Sequence, residues 1–154
     1  MAVELRGEDR FRRGVRLKDV RAWCKIAFEH IGAPEHSPLT VVLTGDEEIR
    51  KLNREFRGAD EPTDVLSFEN SDPVPVPEVE CIAPYLGDIV ISIPRARQQA
   101  LEEGHPLIDE VRLLVVHGVL HLAGRDHATD GDQAEMWAEQ DAILSAIRDQ
   151  EAIP

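Results

Sequence analysis

Cysteine is scarce in this chain: Cys24 and Cys81 are the only two, far apart and in no CxxC spacing. That excludes a disulfide framework and a cysteine-built zinc ribbon, and leaves Cys24 to pack as a small apolar residue. Aromatic residues make up 5% of the 154, too few for an extended platform on which bases could stack. Long apolar runs are missing as well, since no stretch of the sequence approaches the roughly 20 residues that span a bilayer, so no membrane partner is expected. Residues 1–15, MAVELRGEDRFRRGV, mix acids and bases where an export signal needs an apolar segment, and a cytoplasmic location is expected. Positive charge is in deficit, with 17 Lys+Arg against 30 Asp+Glu and a net charge of −13. Non-specific nucleic-acid affinity depends on lysine and arginine displacing counterions from phosphate, so DNA is not an expected partner.

The deficit is uneven. Residues 1–25 hold eight basic side chains against four acids, whereas residues 126–154 hold eight acids and the single base Arg148. Such polarisation permits a basic face on an acidic protein. With 42% hydrophobic residues, a chain of this length is expected to form one domain, 1–154, around one core.

Apolar residues Leu17, Val20, Cys24, Ala27, Phe28 and Ile31 recur at three- and four-residue steps, which predicts a helix ended by Gly32 and Pro34. Leu39, Val41 and Leu43 predict a short strand. Thr44 with Glu47 reads as a capping box opening a helix to about 56 that buries Ile49, Leu52 and Phe56. The segment TDVLSF, residues 63–68, predicts a strand, and GDIVIS, residues 87–92, a second that pairs with it. Between them, residues 69–84 are rich in proline and acid and are expected to form an exposed loop. Ser92 and Pro94 open a helix to about 103, Pro106 opens another that runs to Gly124, and a last helix covers about 132–148 with Trp137, Leu144 and Ile147 among its apolar positions. Too few βαβ units are present for a doubly wound sheet. The expected fold class is α+β, with about five helices around a small mixed sheet.

The segment that carries chemistry is HGVLHLAGRDH, residues 117–127. His117 and His121 are four residues apart and project from one face of a helix, close enough for both imidazoles to reach one ion. Gly124 suits the left-handed turn that ends a helix and brings back His127. Three neutral imidazoles leave a coordination position for water or substrate, as catalytic zinc sites do, and one Zn2+ is the expected cofactor. The spacing matches the metzincin pattern HExxHxxGxxH except at Gly118, which stands where those proteases carry the glutamate that activates water. Glycine transfers no proton, so peptidase activity is disfavoured.

Together with LNREFRGADEPTDVLSF, residues 52–68, and LGDIVIS, residues 86–92, this segment resembles the YbeY family of ribosomal RNA maturation factors over most of residues 40–147. The resemblance implies a single-strand-specific, metal-dependent endoribonuclease. Its implied roles are maturation of the 16S ribosomal RNA 3′ end and ribosome quality control, with the ribosome or ribosomal proteins as partners. It further implies that the three histidines are zinc ligands and that Arg57 is a substrate-binding or catalytic residue. Glu69, where the family often has proline, and Arg125, where an apolar or aromatic residue is frequent, depart from the pattern. Arg50, Arg54 and Arg57 also share one helix face, and guanidinium forks fit phosphate oxygens. Asp64, Ser67, Asp88 and Asp126 are candidates for the shell around the ligands. Two rival readings stand beside this one: a metallohydrolase of another substrate, and a non-catalytic ribosome assembly factor whose metal only holds the fold.

Overall fold

The computed structural model describes residues 3–34, 36–70, 72–125 and 127–153. In chain order its elements are β1 (Val3–Arg6), α1 (Asp9–Arg12), α2 (Leu17–Ile31), β2 (Leu39–Thr44), α3 (Asp46–Arg57), β3 (Val65–Glu69), β4 (Pro73–Val76), β5 (Cys81–Pro84), β6 (Gly87–Ser92), α4 (Ile93–Glu103), α5 (Leu107–Leu122) and α6 (Asp130–Glu151). The class is α+β, and the helix beyond the five expected is the single turn α1.

The strands β1, β2, β6 and β3 lie side by side in that order, the first three parallel and β3 antiparallel at the edge. Central strands are covered on both faces, which is why LTVVLT and GDIVIS read as nearly continuous apolar runs. Val41, Leu43, Ile89 and Ile91 turn to one face and join α2, α5 and α6 in the main core. Val42 and Val90 turn to the other, where α3 contributes Ile49 and Leu52 and β3 contributes Leu66. The single-residue alternation of a pleated strand thus divides the core in two.

Helix α5 is the central post. It touches β3, β6, α2, α4 and α6, and Val111, Leu114, Val115, Val116, Val119 and Leu120 are buried along its length. Its approach to the sheet depends on Gly118: a Cβ there would lie 2.7 Å from Ile89 Cγ2 and 2.9 Å from Ile89 Cδ1. Ile89 is wholly buried, so it has little room to yield, and overpacking at such a contact costs about 1–3 kcal/mol. The position that holds a glutamate in metzincins is therefore pressed against β6 in this protein.

Three expectations need correction. The stretch 69–84 is not all loop: β4 and β5 pair antiparallel, with Pro73 opposite Pro84 and Pro75 opposite Ile82. In a two-stranded ribbon each strand has an open edge, so prolines sit without removing a ladder bond. The Thr44–Glu47 capping box is not formed, because Gly45 is the N-cap of α3 and no side chain caps it. Phe56 is 65% exposed where burial was expected, and Trp137 is 40% exposed. Trp137 packs against two of the imidazoles of the site described next, and Phe56 against Phe68.

Candidate metal centre

The site is built where α5 ends. Gly124 takes φ +85°, the left-handed conformation expected of it. The amides of Gly124 and Arg125 return to the carbonyls of His121 and Leu120 at 2.9 and 3.0 Å, closing the helix. The chain reverses there, and His127 comes back beside the helix. One ligand atom from each of His117, His121 and His127 lies within 4.8 Å of the others, a group that could hold a metal ion. The Nε2 atoms of His117 and His121 are 3.0 Å apart. Tetrahedral zinc with bonds of about 2.0–2.1 Å places its nitrogen ligands roughly 3.3 Å apart, so the cluster fits such an ion with small side-chain adjustments.

Gln140 of α6 orients the first of these rings. Its Oε1 lies 3.0 Å from His117 Nδ1 and can only accept, so Nδ1 carries the proton and Nε2 faces the cluster as a lone-pair donor. Burial pulls the His117 pKa below the ordinary imidazole value. The Gln140 hydrogen bond and the charge of Asp64 oppose that shift, and His127 adds to it. The ring is held neutral, the form that binds a metal. Trp137 completes the wall, with its ring centroid 5.7 Å from that of His117 and 5.9 Å from that of His127.

The three histidines line a cleft of about 500 Å³ together with Arg57, Asp64 and Ser67. A larger groove, about 620 Å³, runs beside α2 with Lys18, Arg21 and Lys25 in its walls. The three histidines are the one metal-competent group among the described residues, and that groove contains none of them. Arg57 is exposed, and its Nη2 donates to the Ser67 carbonyl at 3.4 Å, leaving most of its N–H donors for an incoming anion. Ser67 Oγ donates to the Gly118 carbonyl at 3.4 Å, tying β3 to α5 between the two helical histidines. Asp64 Oδ1 accepts from its neighbours Val65 N at 2.8 Å and Thr63 Oγ1 at 3.3 Å, while Oδ2 accepts from Gln99 Nε2 at 3.3 Å.

Asp88 is elsewhere. Its Oδ1 accepts from the Tyr85 hydroxyl at 2.6 Å, Thr40 donates to that same hydroxyl, and Asp88 does not line the cleft. Asp126 lies outside the described residues. Arg50 is paired with Asp60 at 2.9 Å, away from any phosphate-binding role. Arg125 Nε meets Glu139 Oε2 at 3.0 Å and so pins the turn that carries His127 to α6.

Sequence reasoning missed three carboxamides. Gln140 orients His117, Gln99 holds Asp64, and Asn53 donates to the Glu61 carbonyl at 2.9 Å, fixing the loop that forms one lip of the cleft. A signal was available. Gln140 falls in the stripe of Met136, Ile143 and Ile147, and Asn53 lies one turn after Ile49, so each is a polar residue at a core-facing position.

A family model described as Endoribonuclease YbeY matches residues 8–148. The chain belongs to the YbeY endoribonuclease family. Arg57 and all three histidines fall inside the matched span. Family relatives include Endoribonuclease YbeY of Bacillus licheniformis, 42% identical and covering 84% of each chain. That of Shouchella clausii is 41% identical and covers 94% of this chain and 93% of its own. The structure also matches a Thermotoga maritima protein determined in solution, at 27% identity and a TM-score of 0.59, covering 96% of this chain and 90% of that one.

Proposed function

We propose that the protein is a single-strand-specific endoribonuclease that takes one Zn2+ on His117, His121 and His127 and acts in maturation of the 16S ribosomal RNA 3′ end and in ribosome quality control in the cytoplasm. The observation that carries the catalytic part is the presence, in one cleft, of three converging imidazoles and Arg57. Family membership supports RNA as the substrate.

A divalent ion held there supplies Lewis acidity toward a phosphate oxygen and toward water. The protein's own residues do the remaining work. Arg57 binds a non-bridging phosphate oxygen and neutralises the charge that grows on it in the transition state. Ser67 sets the reach of Arg57 through its carbonyl and the spacing of β3 from α5 through its hydroxyl. Asp64 places a fixed negative charge beside His117. Gln140 holds the His117 ring so that Nε2 faces inward. The peptidase alternative lacks its base, since the residue after His117 is a glycine packed on Ile89.

The test combines metal analysis with cleavage of end-labelled RNA by wild type, His121→Ala and Arg57→Ala. His121→Ala is expected to lose both metal and cleavage. Arg57→Ala is expected to keep its metal and lose about 10²–10³-fold in rate, as removal of one transition-state donor does elsewhere. Single strands should be cut in preference to duplex RNA, and DNA left intact. Product ends identify the nucleophile: a 2′,3′-cyclic phosphate assigns it to the RNA's own hydroxyl. Stoichiometric metal with no RNA cleavage under any condition would favour the assembly-factor reading.

A further inference from the structure

We propose that Phe56 and Phe68 form a stacking subsite for one nucleobase of the RNA strand, next to the phosphate gripped by Arg57. The proposal rests on the RNA-cleaving function above and names how that substrate is held. Phe56 and Phe68 meet edge to face, with centroids 5.3 Å apart and planes at 66°. Such a pair leaves ring surface uncovered, and Phe56 is 65% exposed. Of the other phenylalanines, Phe28 is buried, Phe11 packs against the main core and Phe68 packs against the smaller one, so Phe56 is the open ring of the pair.

The placement is specific. Phe56 directly precedes Arg57 on α3, and Phe68 directly follows Ser67 on β3. Arg57 and Ser67 touch each other inside the cleft. The aromatic contact therefore lies at the same α3–β3 junction, on the α3 side of β3 and beside the cleft, not among the residues that line it. Asn53, one turn earlier on α3, also lines the cleft.

Electrostatics favours the same placement. Arg57 is the one lysine or arginine among the described residues lining the cleft, and Glu61 and Asp64 line it too. With a net charge of −13, the protein gains little from non-specific phosphate attraction. Stacking on an aromatic face needs no counterion release and accepts any base. Two rings are also far too small for a stable protein partner, which needs about 800 Å² on each side. A single base fits the patch.

The experiment measures binding and cleavage of a fluorescein-labelled single-stranded RNA by the metal-loaded protein, comparing wild type with Phe56→Ala, Phe56→Leu and Phe56→Trp. Loss of one base stack is expected to raise Kd and KM about 5- to 100-fold in Phe56→Ala, with a smaller change in kcat. Phe56→Leu keeps apolar contact with Phe68 but has no aromatic face, and should match Phe56→Ala. Phe56→Trp should restore affinity. On an oligonucleotide with an abasic site at the stacked position, wild type and Phe56→Ala should bind alike. Wild type that cuts RNA while Phe56→Ala shows an unchanged KM would overturn the subsite and leave the function standing. A defect that persists on the abasic strand would overturn it as well. Wild type that binds RNA in a Phe56-dependent way but never cuts it would support the subsite and refute the nuclease.

Discussion

Replacing Gln140 by leucine removes one hydrogen bond from a ring whose other nitrogen faces His121 in the three-histidine group. In the native protein Gln140 Oε1 accepts from His117 Nδ1 at 3.0 Å, which fixes both the tautomer and the rotation of the imidazole. Without that acceptor the ring loses its preferred orientation, and the tautomer with a proton on Nε2, useless as a ligand, becomes equally available. Outer partners of metal-bound histidines are worth about 10–100-fold in metal affinity, or roughly 1.4–2.7 kcal/mol. The fold itself should survive, because leucine extends the apolar stripe of Met136, Ile143 and Ile147 on α6. Trp137 reports the binding directly. Its ring lies within 6 Å of those of His117 and His127, so Co2+ at the site should quench its emission. The chain's other tryptophan, Trp23, is 2% exposed and bonded to Glu151 at 3.4 Å, and gives a constant background. Gln140→Glu keeps an acceptor at the same reach and should bind Co2+ at least as tightly as wild type. A Gln140→Leu variant that titrates with the wild-type affinity, or a glutamate variant as weak as the leucine one, would rule out this role for Gln140.

Three further outcomes are expected. Gly118→Ala should unfold at lower urea: overlap with Ile89 costs about 1–3 kcal/mol, against about 1 kcal/mol gained in helix propensity. Tyr85, the chain's one tyrosine, has its pKa pushed up to about 12, first by burial and then by its bond to Asp88. Because the unfolded phenol ionises first, its stabilising contribution is complete below pH ~10 and is lost as pH rises towards 12. Absorbance at the phenolate band should follow that single transition, shifted down in Asp88→Asn but still above the free-tyrosine value. Chelation should lower the melting temperature of the metal-loaded protein without abolishing its far-ultraviolet circular dichroism, since His117 and His121 are half-buried and His127 is exposed, outside the fully buried interior. Complete unfolding on chelation would point to a structural metal.

Legibility in the sequence followed from how strongly each segment's surroundings constrain it. Helix α2 and strands β2 and β6 are buried along a whole face or on both, so their periodicity is strong. β1 escaped notice because only Val3 and Leu5 of its four residues are buried, alternating with exposed Glu4 and Arg6. The β4–β5 ribbon was hidden by its prolines, whose penalty vanishes only where a strand has a free edge. At the site, the HxxxHxxGxxH spacing carries the geometry outright, because helix pitch and one left-handed turn suffice to bring the rings together. Asn53, Gln99 and Gln140 obey no spacing rule and declare themselves only as polar residues at core-facing helical positions. Trp137 has the period of a core residue, yet the surface it covers is the two imidazoles of His117 and His127.

X-ray absorption at the zinc edge of the metal-loaded protein reads out whether His117, His121 and His127 hold the ion. Three imidazole nitrogens at about 2.0–2.1 Å, one further light atom from solvent and no sulfur are expected, with a collapse of the imidazole signal in His121→Ala. A sulfur neighbour, a fourth ligand from the protein, or a spectrum indifferent to His121→Ala would contradict it.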